Sequence, residues 1–354
     1  TKRSGGMMEW AKERFGKTKD GEEAFLYTIA NCAGMQVRVS DFGATLVSLA
    51  VRDRTGRKVD VVQGYDNVQG YEEDTLFMGA VVGRCANRIG GASFVLNGQL
   101  YGLSRNDGDN CLHSGRDFYK GRIWNVEEMG EEEIRFSLFS PHMDQGFPGD
   151  VLIHVAYRLT EDGELQIIYE ASPKEDTVIN MTNHSYFNLD GHDAGSVLGQ
   201  KVWIGADMYM RNDENSIPTG EILSVEGTPL DFRTVKSLGR DIESGHEALR
   251  LGAGYDIHYV VNGSGYREAA SIESEKSGIK MRVFTDCPGM QLYTANFLAG
   301  ERGKGGASYQ RRSSVCFETQ YAPDAVHHAD FESPVCKKGE TYCKKTGYRF
   351  SIIE

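Results

Sequence analysis

Three short segments of the sequence are rich in polar side chains although strand-like residues surround them. They span residues 83–89, 180–188 and Cys316–Gln320. A polar group buried without a partner costs about 1 kcal/mol or more. The clustering therefore indicates either a functional site or a satisfied structural hydrogen-bond network.

A histidine and a glutamate in these segments are candidates for acid–base chemistry. Alternation along a strand places Glu318 on a polar face, with Phe317 on the apolar face behind it. In the second segment, His184 shares a face with Tyr186. Carboxylate and imidazole groups suit base and acid roles because their reference pKa values, about 4.3 and 6.5, move readily on burial. A single buried histidine is more often a hydrogen-bonded structural residue, so the residue types alone leave both interpretations open.

The elements that would position these residues are short strands. Runs of β-branched and aromatic residues, separated by Gly, Asp and Asn, continue to the end of the chain. Asn97-Gly98 suits the tight turn of a hairpin. Many short strands at spacings of about 8 to 12 residues are typical of a sandwich or barrel rather than of βαβ units. The predicted strands include 25–30, 35–39, 45–51, 59–63, 92–96, 99–103, 134–139, 151–160, 164–170, 201–204, 257–261, 279–285, 291–295, 315–319 and 348–352.

The domain organisation follows from the same pattern. No internal repeat or Pro-rich linker divides the body of the chain, so we expect a single all-β domain over residues 22–354. Residues 1–21 are interpreted as an N-terminal tail, in which 10–19 form a short helix or remain a tail. Because Met7 and Met8 follow residues 1–6, we interpret those six residues as a remnant outside the native sequence.

Composition excludes several classes of partner. The formal net charge is −12. Nucleic-acid affinity rests on clustered Lys and Arg, so we expect no nucleic-acid partner. No stretch approaches the roughly 18 consecutive apolar residues that span a bilayer, and no secretory signal is recognisable. We therefore expect a cytoplasmic protein without a membrane partner, either a monomer or a weak dimer.

Cysteine usage and motifs argue against metals and cofactors. The seven cysteines are scattered and form no CxxC pair, which favours reduced thiols. The sequence has no Gly-x-Ser-x-Gly elbow, no His-Glu-x-x-His motif and no dinucleotide fingerprint. We predict neither a metal nor a cofactor.

Six motifs in series resemble those of the galactose mutarotase (aldose 1-epimerase) family. The similarity runs from about residue 25 to the C-terminus. The motifs are Gly83-Arg-x-x-Asn-Arg-Ile89, Leu112-His113, Asn183-His-Ser-Tyr-Phe-Asn188, Gly254-Tyr-Asp256, Glu318-Thr-Gln320 and Pro323-Asp324-Ala325.

The resemblance implies a fold, a reaction and a set of site residues. The fold is a large β-supersandwich with a sugar in an open cleft, and the reaction interconverts α and β anomers of aldohexoses such as galactose and glucose. The resemblance makes Glu318 the general base and His184 the general acid. Residues implied to hold sugar hydroxyls are Asn87, Arg88, His113, Tyr186, Asp256 and Gln291.

Three departures from the family pattern and three rival functions accompany this interpretation. Ile257 replaces a histidine, Ser114 replaces a glycine, and Lys337-Lys338 replaces a proline-containing turn. The departures near the site bear on which sugar is preferred.

The rivals are a sugar-phosphate epimerase, a catalytically silent sugar-binding protein, and a retaining glycosidase that uses Glu318 with Asp256.

Overall fold

The computed structural model describes residues 9–354, and strands dominate it. In chain order the strands begin with β1 (Glu9–Lys17), β2 (Glu23–Ala30), β3 (Gln36–Ser40), β4 (Thr45–Arg52), β5 (Lys58–Asp60), β6 (Ala80–Val82), β7 (Arg88–Ile89), β8 (Ser93–Leu96), β9 (Gln99–Gly102) and β10 (Cys111–Leu112). They continue with β11 (Asn125–Met129), β12 (Glu133–Ser140), β13 (Val151–Leu159), β14 (Glu164–Pro173), β15 (Thr177–Val178), β16 (Thr182–His184), β17 (Lys201–Ile204), β18 (Met208–Asn212), β19 (Pro218–Ser224) and β20 (Lys236–Ser237). They end with β21 (Asp256–Val260), β22 (Arg267–Glu273), β23 (Ile279–Thr285), β24 (Gly289–Tyr293), β25 (Glu301–Arg302), β26 (Ser308–Tyr309), β27 (Cys316–Gln320), β28 (Val335–Cys336) and β29 (Tyr342–Ile352).

Helices are short and lie between strands. The α-helices are α1 (Val68–Glu73) and α2 (Glu247–Gly252). Asn67 caps α1 by accepting a hydrogen bond from the Gly70 N–H. Within residues 9–354, no helix is long and apolar enough to cross a membrane.

Three large sheets organise the described residues. The large sheet has the order β11-β12-β13-β14-β29-β23-β22-β17-β20, the N-terminal sheet runs from β1 to β5, and the site sheet has the order β19-β18-β21-β24-β27. One continuous hydrophobic cluster takes buried side chains from all three, for example Leu49, Ile153 and Leu292. Each fully buried side chain of this size contributes about 1.5 to 3 kcal/mol, so the sheets are held together by a shared core.

The predicted all-β pattern is confirmed, and local sequence explains the strands. In β23, Ile279, Met281 and Val283 are buried while the residues between them are partly exposed, the period-2 pattern of a half-buried strand. The hairpin of β8 and β9 turns at Asn97 and Gly98, which have φ values of 52° and 77°. These positive angles are those that a tight Asn-Gly turn requires.

The N-terminal segment differs from its prediction. Residues 10–19 were expected to form a short helix or a tail, but Glu9–Lys17 is a strand that pairs antiparallel with β2. An edge strand buries few side chains, and here Phe15 is buried while most neighbouring residues are exposed, so the apolar pattern is weak. The interpretation of residues 1–6 lies outside the described residues, and the single-domain assignment of 22–354 stays a prediction.

Candidate active site

All eight residues predicted for the site line one open cavity. Strands β21, β24 and β27 of the site sheet form one side of the cavity. The segments around β7, β10 and β16 form the other side. Its lining comprises Thr75, Leu76, Phe77, Asn87, Arg88, Leu112, His113, His184, Tyr186, Asp256, Gln291, Tyr293, Phe297 and Glu318.

Hydrogen bonds at Asn180 hold the three polar segments together. Its backbone N–H donates to the Arg84 carbonyl at 2.8 Å, and its carbonyl accepts from the Ala86 N–H at 2.7 Å. The Asn180 side chain accepts from the Tyr321 N–H at 2.9 Å through Oδ1 and donates to the Tyr321 carbonyl through Nδ2. The backbone and the side chain of Asn180 therefore join segments that are distant in sequence.

Part of the first polar segment is structural. The Arg84 side chain is buried and donates to the carbonyls of Ser140, Pro148 and Gly149. It does not line the cavity, whereas Arg88 does. Arg84 therefore belongs to a structural hydrogen-bond network, whereas Arg88 belongs to the candidate site.

The register of the site sheet places its polar side chains side by side. Gln291 of β24 lies directly opposite Glu318 of β27, and Asp256 of β21 lies opposite Tyr293. Residues opposite each other in an antiparallel pair point to the same face. Gln291 Nε2 donates to Asp256 Oδ1 at 2.7 Å, and its Oε1 is buried without a hydrogen-bond partner.

His184 reaches the carboxylate of Glu318 from the neighbouring strand β16. Its Nε2 lies 3.4 Å from Glu318 Oε1, and both side chains are buried. The imidazole stacks on Tyr186 at a centroid distance of 5.1 Å and on Phe77 at 6.0 Å. These rings fix the plane of the imidazole and exclude water from its faces.

Burial drives the pKa values of the pair toward their uncharged forms. It lowers the pKa of His184 to about 4. Burial, together with the charge of Asp256, raises the pKa of Glu318 well above its usual range, while Arg88 acts in the opposite direction. The site therefore favours a neutral imidazole beside a protonated carboxyl over an ion pair.

A tight backbone arrangement orients His113. The backbone N–H of Asn87 donates to His113 Nδ1 at 3.0 Å. The backbone N–H of His113 donates to the Asn87 carbonyl at 3.0 Å. Both residues have positive φ values, 63° for Asn87 and 52° for His113. Burial, His184 and Arg88 hold the pKa of His113 well below its usual range. The ring is therefore neutral and carries its hydrogen on Nε2.

The histidines and the glutamate do not fit a metal site. His113, His184 and Glu318 have ligand atoms within 4.8 Å of one another, and they are the one such group in the described chain. A ligating nitrogen must be free of hydrogen. Because Nδ1 of His113 accepts from Asn87, its remaining nitrogen carries the hydrogen and acts as a donor.

Arg88, Asp256 and Tyr186 have restricted hydrogen-bonding capacity. Arg88 Nε donates to Asp107 Oδ2 at 2.6 Å, which leaves the terminal nitrogens of the guanidinium as its further donors. Burial raises the pKa of Asp256, and Arg88 opposes this shift. The Tyr186 hydroxyl donates to the Leu76 carbonyl at 2.6 Å, so it can offer a ligand only its oxygen as an acceptor.

An aromatic wall was missed by the sequence analysis. Phe77, Tyr293 and Phe297 line the cavity, and Phe297 is 63% exposed. Tyr293 lies two residues from Gln291 on β24, so strand alternation could have identified it. Nothing in the local sequence marks Phe77, which reaches the site from a turn at φ 62°.

The fold and the cavity define an all-β protein with a buried histidine–glutamate pair in an open polar cavity. A family model described as aldose 1-epimerase matches residues 26–349. The chain is 39% identical over 320 residues to a galactose mutarotase from Bos taurus, covering 90% of this chain and 92% of that protein. It is 34% identical over 335 residues to an aldose 1-epimerase from Escherichia coli (strain K12), covering 94% and 96% of the two chains.

Solved structures agree with this relationship. A GalM/aldose epimerase homologue from C. elegans matches with a TM-score of 0.88 and 32% identity, covering 94% of this chain and 100% of that one. A galactose 1-epimerase from Lactobacillus acidophilus NCFM matches in fold with a TM-score of 0.86 at 24% identity, covering 98% and 100%. The predicted mutarotase-like sandwich is confirmed. The chain belongs to the aldose 1-epimerase family, whose reaction interconverts the anomers of aldoses.

Proposed function

We propose that the chain opens and recloses the ring of an aldohexose with Glu318 as the general base and His184 as the general acid. Glu318 removes the proton of the C1 hydroxyl while His184 protonates the ring oxygen, and the bond from C1 to O5 breaks. Rotation about the bond from C1 to C2 presents the other face of the aldehyde. Reclosure with the two roles reversed gives the other anomer.

The single observation that carries this assignment is the contact between His184 and Glu318. The hydroxyl oxygen and the ring oxygen are both bonded to C1, so the base and the acid must lie close together. The 3.4 Å separation of Nε2 and Oε1 meets this requirement. Well-placed acid and base groups are each worth roughly 10² to 10⁴ in rate.

Burial of the pair favours ring opening. While the sugar ring is closed, catalysis needs a protonated imidazole and an ionised carboxylate. Proton transfer to and from the sugar converts this ion pair to a neutral imidazole and a protonated carboxyl, the forms that the pKa shifts favour. The desolvation of the two groups therefore lowers the free energy of the open-chain state relative to that of the closed-ring state in which the pair is ionised.

The remaining polar residues supply contacts for the sugar hydroxyls. We assign Arg88 and the Nε2–H of His113 as donors, and Asp256 and the unpartnered Oε1 of Gln291 as acceptors. Asn87 and Tyr186 complete this set, with Tyr186 offering an acceptor. Galactose and glucose are the proposed substrates, and several relatives are named galactose mutarotases.

A sugar-phosphate epimerase is disfavoured by the charge of the cavity. Several cations would have to converge on a phosphate. Among the described residues that line the cavity, Arg88 is the one lysine or arginine.

We also propose that the protein acts in hexose metabolism in the cytoplasm, as a monomer or weak dimer. The free thiols support this location, since Cys85, Cys111 and Cys287 are buried and unpaired in disulfides. Cell fractionation tests the cytoplasmic location, and analytical ultracentrifugation tests the monomeric or weakly dimeric state.

Polarimetry tests the proposed activity. Fresh α-D-galactose and α-D-glucose should reach equilibrium rotation faster with the protein than with the His184→Asn variant, because the variant lacks the acid. A synthetic nitrophenyl galactoside should remain intact. Release of nitrophenol would identify a glycosidase instead, and absence of acceleration with either sugar would contradict the proposal.

A further inference from the structure

The imidazole of His184 is held at both nitrogens by one strand. Nε2 lies 3.4 Å from Glu318 Oε1, and Nδ1 lies 3.7 Å from Cys316 Sγ. Cys316 and Glu318 are two residues apart on β27, so they project from the same face. The strand that presents the carboxylate therefore also presents a thiol to the opposite side of the ring.

The surroundings fix this contact. Cys316 is fully buried and packs in the same hydrophobic cluster as Tyr186, the ring on which His184 stacks. It lies opposite Tyr293 in the register of β24 and β27, and Tyr293 meets His184 edge-on at 6.1 Å. The aromatic rings of Tyr186 and Tyr293 therefore pack around the contact between the sulfur and the imidazole.

The proton positions follow from the reaction. To exchange a proton with the sugar at Nε2, His184 must keep its other hydrogen on Nδ1 throughout. A hydrogen on Nδ1 needs an acceptor, and the neighbouring sulfur supplies one. Burial favours the protonated form of Glu318, which can donate to Nε2 and so also leaves the ring hydrogen on Nδ1.

We propose that Cys316 is a positioning residue that accepts a hydrogen bond from Nδ1–H of His184 and thereby holds the tautomer whose Nε2 exchanges protons with the sugar. The catalytic part of this inference rests on the proposed function, whereas the assignment of the His184 tautomer does not.

A sulfur acceptor has a chemical consequence. Burial raises the pKa of the Cys316 thiol well above its usual range, so the sulfur remains uncharged. A neutral sulfur is a weak acceptor and adds little stability to the imidazolium, whereas a carboxylate at this position would stabilise it. The imidazolium therefore remains a strong acid, in keeping with the lowered pKa of His184.

The tautomer can be measured directly by nitrogen-15 NMR of histidine-labelled protein, with His184 assigned by comparison with His184→Asn. We expect the hydrogen on Nδ1 in the wild-type protein, and a mixture of tautomers in Cys316→Ala. A wild-type spectrum with the hydrogen on Nε2 would overturn the inference even if the enzyme is fully active. This readout needs no activity, so it separates failure of the inference from failure of the proposed function.

Kinetics provide the second readout. Cys316→Ala should lower kcat about twofold, the factor expected for a weak hydrogen bond, with KM nearly unchanged. Cys316→Ser retains an acceptor and should recover part of the loss. Cys336→Ala, which removes a buried thiol outside the cavity, is the matched control and should keep wild-type kcat. Wild-type kcat in Cys316→Ala would contradict the inference. If that variant does not fold, Cys316→Ser and the wild-type NMR spectrum still test the inference.

Discussion

His184 and Glu318 exchange the protons in the proposed reaction, and their chemistry is set by burial more than by their mutual charge. Desolvation lowers the pKa of the imidazole to about 4 and raises that of the carboxyl well above its usual range. Around them, Asp256 and Arg88 act on Glu318 in opposite directions, and His113 is neutral. The pair therefore holds one proton over a wide pH interval.

The pH dependence of kcat/KM should reflect this single proton. On the acid side, activity should fall near pH 4, where His184 gains a proton beside an already protonated Glu318 and no base remains. On the alkaline side, activity should fall where the pair loses its proton, above the usual range of a glutamate. Initial rates measured polarimetrically at constant ionic strength check this. An acid limb near 6.5, the value of an ordinary histidine, would contradict the account.

The site sheet and its connections determine where these residues lie. Gly254 begins the approach to β21 at φ +142°, and a Cβ there would lie 2.1 Å from Asn296 Oδ1. Asn296 in turn donates to the carbonyls of Gly252 and Tyr255. This contact ties the start of β21, which carries Asp256, to the loop that carries Phe297.

Gly254→Ala should therefore disturb both stability and sugar binding. We expect a loss of about 1 to 3 kcal/mol in the free energy of unfolding from backbone strain and the forced displacement of Asn296. The KM for galactose should rise because Asp256 moves. Gly245→Ala is the matched control, since Gly245 also has a positive φ but no atom lies within 4 Å of the added Cβ. Equal effects of the two substitutions in chemical denaturation and kinetics would refute the role of this contact.

At the element scale, strands with strong alternation were predictable and others were not. The run 279–285 alternates cleanly and forms β23. Of the strands that were not recognised, β1 and β19 lie at the edges of their sheets, where pairing on one side needs little apolar surface, whereas β18 and β22 are interior strands. The pattern of polar segments identified Glu318 and His184. The orientation of His113 depends on a turn with positive φ values, which the residue types do not predict.

At the scale of the whole molecule, the fold brings together segments that are far apart in sequence. Asn180 joins residues 83–89 to Tyr321, and Phe187 exchanges backbone hydrogen bonds of 2.8 and 2.9 Å with Val315. Such contacts depend on packing between sheets, so spacing along the chain could suggest that the polar segments meet but could not give their distances. The contact of Cys316 with His184 arises in the same way.

The central claim, that Glu318 is the base of an anomer-interconverting enzyme, is tested most directly by polarimetry of Glu318→Gln with fresh α-D-galactose. The substitution keeps size and hydrogen bonding but removes the base, so the catalysed rate should fall at least about 100-fold. Galactose binding, measured by calorimetry, should survive. Glu275→Gln, at an exposed carboxylate that pairs with Lys201, is the matched control and should keep the wild-type rate. A folded Glu318→Gln protein that interconverts galactose anomers at nearly the wild-type rate would contradict the account.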